Sequence, residues 1–600
     1  MSKEIIRSRI AGLRQLMREQ GVDAYLVTSG DDHGSEYVGD YFKGRAYLSG
    51  FTGSAGTLVV TADKAALWTD GRYFLQAADQ LSDTGIDLMK MGEPGVPTVS
   101  GYLKDTLAEG QSLAYDGRTV ELSYAEMLKK ALPGRAIRET LDLVSPLWTD
   151  RPPLPGTKAW LLDGSYTGSS RAERLADVRA ALERERADAL LLSSLDDIAW
   201  LFHLRGDDIA FNPVVMAYAL VKKDETVLYA CPDAFDEAVT AALYADGVTL
   251  RPYEQVYADA AVLQGKVWID EASTNVALFA ALEGSGAELL RKDNPTTLPK
   301  AVKTETEQKN LRLCHVKDGV AVTRLICWLK HLKAEDYPTL TELAVAEKLE
   351  SFRRAQTDYI EQSFEPIIAI GPHGAIIHYE PTPETDAPLA ANTFLLMDTG
   401  GQYLQGTTDI TRTTSLGEVT EEMKRHYTAV LRGHIRLAMA RFKKGCTGAN
   451  LDYLARSPLW ELGLDYNHGT GHGVGYLLNV HEGPQNIGLR GRDGSVGAAL
   501  QPGMITSDEP GLYLEGRYGV RLESLILCCE RETTAYGSFY GFDSITMVPF
   551  DRASILPEMM TQEELDWLNG YHKTVYETLS PHMGVAEWLW LRKETAPLHK

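Results

Sequence analysis

Leu395-Leu396-Met397-Asp398-Thr399-Gly400-Gly401-Gln402-Tyr403-Leu404-Gln405-Gly406-Thr407-Thr408-Asp409-Ile410-Thr411-Arg412-Thr413 decides how the second half of the chain is read. An apolar run, a Gly-Gly pair, a third Gly and an alternating Thr-rich run spell two extended segments joined by a loop. Pairing them antiparallel sets Asp398 roughly opposite Asp409, with both carboxylates on one face. Directly opposed side chains sit about 5 Å apart at Cβ. Two bare negative charges at that distance repel by roughly 3 kcal/mol at an effective dielectric near 20, so a cation is expected between them. On this stretch alone, two solvated edge aspartates are the competing reading.

Downstream residues favour the cation. His472 lies in Gly469-Thr470-Gly471-His472-Gly473-Val474-Gly475, where glycines let backbone approach closely and leave the imidazole open to a partner. Glu509 closes Met504-Ile505-Thr506-Ser507-Asp508 and precedes Pro510-Gly511, a strand that stops at a turn. Glu523 lies in Tyr518-Gly519-Val520-Arg521-Leu522-Glu523-Ser524-Leu525-Ile526-Leu527, an extended run expected to put Arg521 and Glu523 on the same face. Four carboxylates and one imidazole make an oxygen-rich set. Such a set suits hard or borderline divalent ions, and carboxylates can bridge two of them roughly 3.5 to 4 Å apart.

The order Asp398, Asp409, His472, Glu509, Glu523, with these flanks, resembles the metal site of the pita-bread metallopeptidases, a group that includes methionine aminopeptidase, prolidase and Xaa-Pro aminopeptidase. Within it the chain is most similar to the long, three-domain cytosolic Xaa-Pro aminopeptidases (aminopeptidase P). His481-Glu482-Gly483-Pro484, Gly371-Pro372-His373-Gly374-Ala375-Ile376-Ile377-His378-Tyr379 and the Trp/Leu-rich run over residues 587–598 all fit that subgroup, and the likeness spans nearly the whole chain.

Length alone points to several domains. With 44% hydrophobic and 24% charged residues, the composition is that of a globular protein. A formal net charge of -23 argues against nucleic acid or an anionic membrane as partner, since both would repel it. The six cysteines, Cys231, Cys314, Cys327, Cys446, Cys528 and Cys529, form no CxxC pair and suggest neither a disulfide framework nor a zinc ribbon, which suits a reducing cytoplasm. The amino-terminal stretch reads as an amphipathic helix with Ile6, Ile10, Leu13 and Met17 on one face rather than as a signal peptide. No run approaches the ~20 apolar residues of a membrane span.

That helix stops at Gly21 and gives way to the strand pattern Ala24-Tyr25-Leu26-Val27-Thr28; a helix over 171–186 and Ala189-Leu190-Leu191-Leu192-Ser193 repeat the unit about 165 residues on. The first half is therefore expected to be two related α/β modules, residues 1–150 and 151–303, joined by a linker rich in Pro146, Pro152, Pro153, Pro155 and Gly156. His203, in Asp196-Asp197-Ile198-Ala199-Trp200-Leu201-Phe202-His203, resembles part of the family's second domain and is expected to be packed rather than a ligand. A long helix is expected over 305–333. Another is expected over 430–442, with Leu431, Ile435, Met439 and Phe442 facing the core. The fold class expected is α/β (α+β): two creatinase-like modules, then residues 304–600 as a pita-bread catalytic domain, helices over a curved antiparallel sheet.

Roles for individual residues follow from the resemblance. It implies two divalent ions, manganese being usual in the family and zinc or cobalt the alternatives. Asp398 would bind one ion, His472 and Glu509 the other, and Asp409 and Glu523 would bridge both. His378, His468 and His481 match the family's substrate-side histidines, with His378 and His481 placing the substrate and stabilising the oxyanion. Tyr513 and Arg521 would support the ligands, Arg521 by a charge-assisted bond to Glu523. Glu509 and Glu523 are both candidates for proton transfer. The activity implied is attack of a metal-bridged hydroxide on the first bond of peptides with proline second, by a cytoplasmic homodimer. A prolidase acting on dipeptides and a non-catalytic pita-bread binding protein are the alternatives. Creatinase lacks the ligand set, and the binding proteins have lost ligands that are all present here.

Overall fold

The computed structural model describes residues 2–489 and 497–600, which form two compact units. One comprises Met1–Gly164 with Ser169–Thr297, the other Ser165–Gly168 with Leu298–Lys600.

The first unit is built on an internal repeat. Its opening helix, Lys3–Gln20, buries Ile6, Ile10, Leu13 and Met17, and ends at Gly21, whose φ of 63° is left-handed and favours glycine. The next element is the strand Ala24–Val27, which pairs antiparallel with Thr57–Thr61 on one side and parallel with Ser112–Ala114 on the other. In the second module Ala189–Leu192 does the same with Ala217–Lys222 and Lys266–Ile269. Continuing outward, Ala65–Thr69, Asp87–Lys90 and Ala136–Arg138 match Thr226–Ala230, Val248–Pro252 and Glu288–Arg291 in order and in direction. Two mixed six-stranded sheets of identical topology result. His203 caps the helix Leu195–Phe202 in the left-handed region, and its carbonyl accepts from Leu162 N; burial holds its pKa down at about 3.

The first long helix of the second unit is Glu305–His331, started by a capping box in which Thr304 and Glu307 satisfy each other's backbone N–H. Together with Glu342–Arg354 it packs Leu325, Leu329, Val345 and Leu349 on a three-stranded antiparallel sheet of Ile367–Ile370, Thr393–Thr399 and Ile410–Leu416. A six-stranded antiparallel sheet follows, in the order Arg441–Lys443, Gly537–Ser544, Ser524–Thr534, Ile505–Asp508, Gly471–Gly473, Glu482–Ile487. No helix among the described residues is long and apolar enough to cross a membrane.

Three expectations are corrected. Asp398 stands opposite Thr411, not Asp409, because residues 400–409 fold into a small hairpin of their own, Gly401–Tyr403 against Gly406–Thr407. Asp409 thus lies two residues further along the same face. The run 518–527 is not one strand: Tyr518–Arg521 forms a ribbon with Gly511–Leu514, and the chain breaks at Leu522-Glu523 before Ser524–Thr534 joins the larger sheet. The helix expected over 430–442 is Glu421–Ala438, capped by Thr420; Met439 is exposed, and Phe442 is buried on a strand because Arg441–Lys443 pairs with the sheet edge. Of the apolar run 588–591, Leu591 is buried and Trp590 packs on the core, whereas Leu589 is exposed.

Candidate metal centre

The two sheets deliver their acidic residues to one place. Asp398 is the last residue but one of the central strand of the small sheet, and Asp409 leads into the next strand. Glu523 sits at the break between ribbon and large sheet, where its N–H donates to Thr411 O at 3.0 Å. His472 comes from the short strand Gly471–Gly473. A Cβ on Gly471 would lie 1.9 Å from Ser507 O, so only glycine lets the two strands approach this closely. Glu509 follows the neighbouring strand, its N–H bound to Thr470 O at 2.8 Å.

One ligand atom each from Asp409, His472 and Glu523 lie within 4.8 Å of one another. His472 Nε2 is 3.5 Å from both Asp409 Oδ2 and Glu509 Oε1. Asp398, Asp409 and Glu523 are buried; His472 and Glu509 are half-buried. Burial first, then the negative charge of neighbouring carboxylates, pushes Asp409 and Glu523 well above the usual carboxylate range. Asp398 Oδ1 and Glu523 Oε1 are buried oxygens with no hydrogen-bond partner. Buried acceptors are ordinarily satisfied, and a hard cation would satisfy both. The donor set therefore fits divalent metal.

The surrounding contacts fix each carboxylate. Arg521 donates from Nη2 and Nε to Asp398 Oδ2, at 2.6 and 3.1 Å. Its expected partner was Glu523, and the break at residue 522 is why the assignment moves. Glu523 Oε2 instead accepts from Thr411 Oγ1 at 2.7 Å, and that hydroxyl also accepts from Arg521 Nε at 3.3 Å. Thr411 was missed in the sequence, although it shares a face with Asp409 two residues earlier. Ser507 is a second omission: its hydroxyl accepts from His472 N at 2.9 Å and donates to Glu509 Oε1 at 3.3 Å.

Of the three other histidines, His481 packs edge-on against His472, ring centres 4.2 Å apart. His468 Nε2 meets Tyr513 OH at 2.9 Å, and Tyr513 accepts from Arg521 Nη1 at 2.7 Å, so a polar chain runs from His468 to Asp398. His378 is half-buried on the turn after Gly371–Ala375. That turn packs on the ribbon bearing Tyr513 and Arg521, so closely that a Cβ on Gly519 would lie 1.7 Å from Gly374 O.

Comparison with known proteins adds the following. Residues 309–530 match the model for metallopeptidase family M24 and residues 538–598 that for the C-terminal region of peptidase M24. Residues 9–147 and 150–307 each match a creatinase/prolidase N-terminal domain. A probable Xaa-Pro aminopeptidase P of Sordaria macrospora is 41% identical over 98% of this chain and 99% of its own length. Xaa-Pro aminopeptidase 1 of Dictyostelium discoideum is 38% identical over 100% of this chain and 97% of its own. The crystal structure of X-prolyl aminopeptidase from Caenorhabditis elegans, described as a cytosolic enzyme with a di-nuclear active site, superposes with a TM-score of 0.93 at 33% identity and covers 100% of both chains. An Xaa-Pro dipeptidase from Bacillus anthracis, at 24% identity, TM-score 0.51 and 64% of this chain, shares the fold.

Proposed function

We propose a reaction for this chain, which belongs to the Xaa-Pro aminopeptidases of metallopeptidase family M24: hydrolysis of the first peptide bond of substrates with proline in second position. The observation that carries the reading is the convergence of Asp409, His472 and Glu523 around buried carboxylate oxygens that lack any other partner. Asp398, Asp409, His472, Glu509 and Glu523 are the residues proposed to hold two divalent ions, manganese first, with zinc or cobalt able to replace it. When bound, such ions supply Lewis-acid polarisation of the scissile carbonyl and a solvent nucleophile at neutral pH.

The chain's own residues do the rest. Arg521 holds the Asp398 carboxylate in place through two charge-assisted bonds to Oδ2. Thr411 does the same for Glu523 by a single hydroxyl. His481, beside His472, offers a ring N–H to the carbonyl oxygen as negative charge develops there, and His378 assists from its turn. His468, oriented by Tyr513, is a further substrate-binding residue. Glu509, half-buried, is the better placed of the two carboxylates to pass a proton to the leaving nitrogen, because Glu523 is fully buried.

Proline lacks an N–H and its ring fixes φ. A site that attacks a polarised carbonyl needs no amide hydrogen after the scissile bond, so an Xaa-Pro bond is open to it. Side-by-side rates on Arg-Pro-Pro, Arg-Pro and Arg-Ala-Pro test the reading: the first should be cut, the second slowly and the third hardly at all. A preference for the dipeptide would make the protein a prolidase, and no cleavage of any would make it a binding protein. The enzyme is further read as a cytoplasmic homodimer. The Caenorhabditis elegans enzyme's description supports the compartment and the sequence resemblance the dimer; light scattering tests the latter.

A further inference from the structure

Behind the two aspartates of the metal centre, on the side away from it, lies a buried ion pair whose partners come from different helices. Asp318 belongs to Glu305–His331 and Arg353 to the last turn of Glu342–Arg354, and both are almost wholly inaccessible. Arg353 Nε donates to Asp318 Oδ1 at 2.7 Å and Nη2 to Oδ2 at 3.1 Å, a fork-to-fork contact. The same two groups reach into the loop that separates Asp398 from Asp409. Arg353 Nη2 donates to Thr399 Oγ1 at 3.0 Å, and Thr399 is the residue after Asp398. Thr408 Oγ1 donates to Asp318 Oδ2 at 2.7 Å, and Thr408 is the residue before Asp409. Tyr403 OH donates to Asp318 Oδ1 at 3.0 Å, and Gly401 N closes the ring by donating to Thr408 Oγ1 at 2.9 Å.

Removing two charges from water costs several kcal/mol each, and an apolar pair of similar volume would often serve stability as well. An apolar pair could not, however, fix two particular hydroxyls in direction. Adjacent residues on an extended chain point to opposite faces, so a grip on Thr399 from behind aims Asp398 forward. The loop has no slack to correct an error: a Cβ on Gly400 would lie 2.0 Å from Ser363 Oγ and 2.1 Å from Thr408 O. Burial alone would raise the Asp318 pKa, yet Arg353 and the hydroxyls of Thr408 and Tyr403 hold it below the ordinary value, so the pair is ionised at neutral pH.

We propose that Asp318 and Arg353 are positioning residues for the metal centre, a buried fork that locks Thr399 and Thr408 from behind and so sets the spacing between the Asp398 and Asp409 carboxylates. This rests on the dinuclear reading above. It also explains why the helical cover reaches the ligands through hydrogen bonds rather than through packing alone.

The test uses the full-length protein, stripped with chelator and titrated with manganese by calorimetry, alongside thermal unfolding of the metal-free form. Supporting partners of metal ligands typically contribute roughly 10- to 100-fold in affinity. Thr408→Val, which removes one hydroxyl and keeps the ion pair, should weaken manganese binding about 10-fold while the metal-free melting temperature moves little. Asp318→Asn should weaken it further. Leu349→Ala, a core truncation on the helix that carries Arg353, should lower the metal-free melting temperature without changing the affinity. If Asp318→Asn fails to fold, Thr408→Val decides. A wild-type chain that takes up no ion sinks the metal reading and this inference with it. A wild-type chain that binds two ions, with Thr408→Val and Leu349→Ala equally unaffected in affinity, overturns the inference alone.

Discussion

Asp409 and Glu523 are buried beside other carboxylates, whose charge together with burial raises both, and Arg521 offsets only Asp409; a divalent ion at this place, as proposed, would let both ionise. Asp409→Ala is expected to remove the bridging oxygen, reduce bound manganese below one ion per chain by metal analysis, and bring Arg-Pro-Pro hydrolysis to background; an unchanged rate would end the dinuclear reading. His481→Ala should instead keep the metal and lose turnover by roughly 10²- to 10³-fold, the size of one lost oxyanion donor, and equal loss of metal would make it a ligand. All five candidate residues could be named from the sequence, because each stands at a glycine-rich or strand-terminal position with a distinctive flank, and the structure brings Asp409, His472, Glu509 and Glu523 together. Their pairing could not be read there. The register of Asp398 depends on a hairpin hidden in residues 400–409, and the partner of Arg521 depends on a break at Leu522-Glu523 that no Gly or Pro announces.

Among the elements, the opening helix shows what periodicity alone can fix: the four apolar positions expected on one face are the four that are buried. The internal repeat was equally readable, since two matching helix-to-strand units head two sheets of one topology. Periodicity failed over 430–442, where the edge strand Arg441–Lys443 takes Phe442 out of the helix. The last helix, Val585–Glu594, lies between these cases. Of the Trp/Leu-rich run, the structure buries Leu591, packs Trp590 on the core, and leaves Leu589 in water. Polar contacts complete the attachment: Arg552 N donates to Glu594 Oε1 at 2.7 Å, and Asn569 exchanges hydrogen bonds with the backbone of Leu598 at 2.8 and 3.0 Å. Truncation before Glu587 should therefore lower the melting temperature of the protein. Leu591→Ala alone should cost roughly 2 to 5 kcal/mol by denaturant unfolding, the usual range for a fully buried leucine, while Leu589→Ala should cost little. Equal effects at the two leucines would show that this helix is not seated as described.

At the scale of the whole molecule, the least legible feature is the polar contact within the first unit, because its partners are scattered across the chain. His33 places Nδ1 at 2.7 Å from Ser193 O and Nε2 at 2.7 Å from Tyr253 OH, and Asn275 donates to Asp32 O at 2.8 Å. Asp32 is at the centre. Burial raises its pKa to about 7, against the pull of Arg118 at 3.4 Å and with help from the charges of Asp31, Asp116 and Glu254. The folded value lies above the ordinary one, so folding favours the protonated acid. That contribution is fully present below the unfolded pKa near 4 and is lost as pH rises through about 7. Asn at this position imitates the neutral acid at every pH. Asp32→Asn should therefore gain on wild type as pH rises from 5 to 8, by at most about 1.4 kcal/mol per pH unit for one proton. Calorimetric unfolding of the full-length proteins measures the difference between variant and wild type, which cancels the titration of other groups. A difference that stays constant from pH 5 to pH 8 would mean that Asp32 is ionised throughout, held by Arg118 as an ordinary buried ion pair.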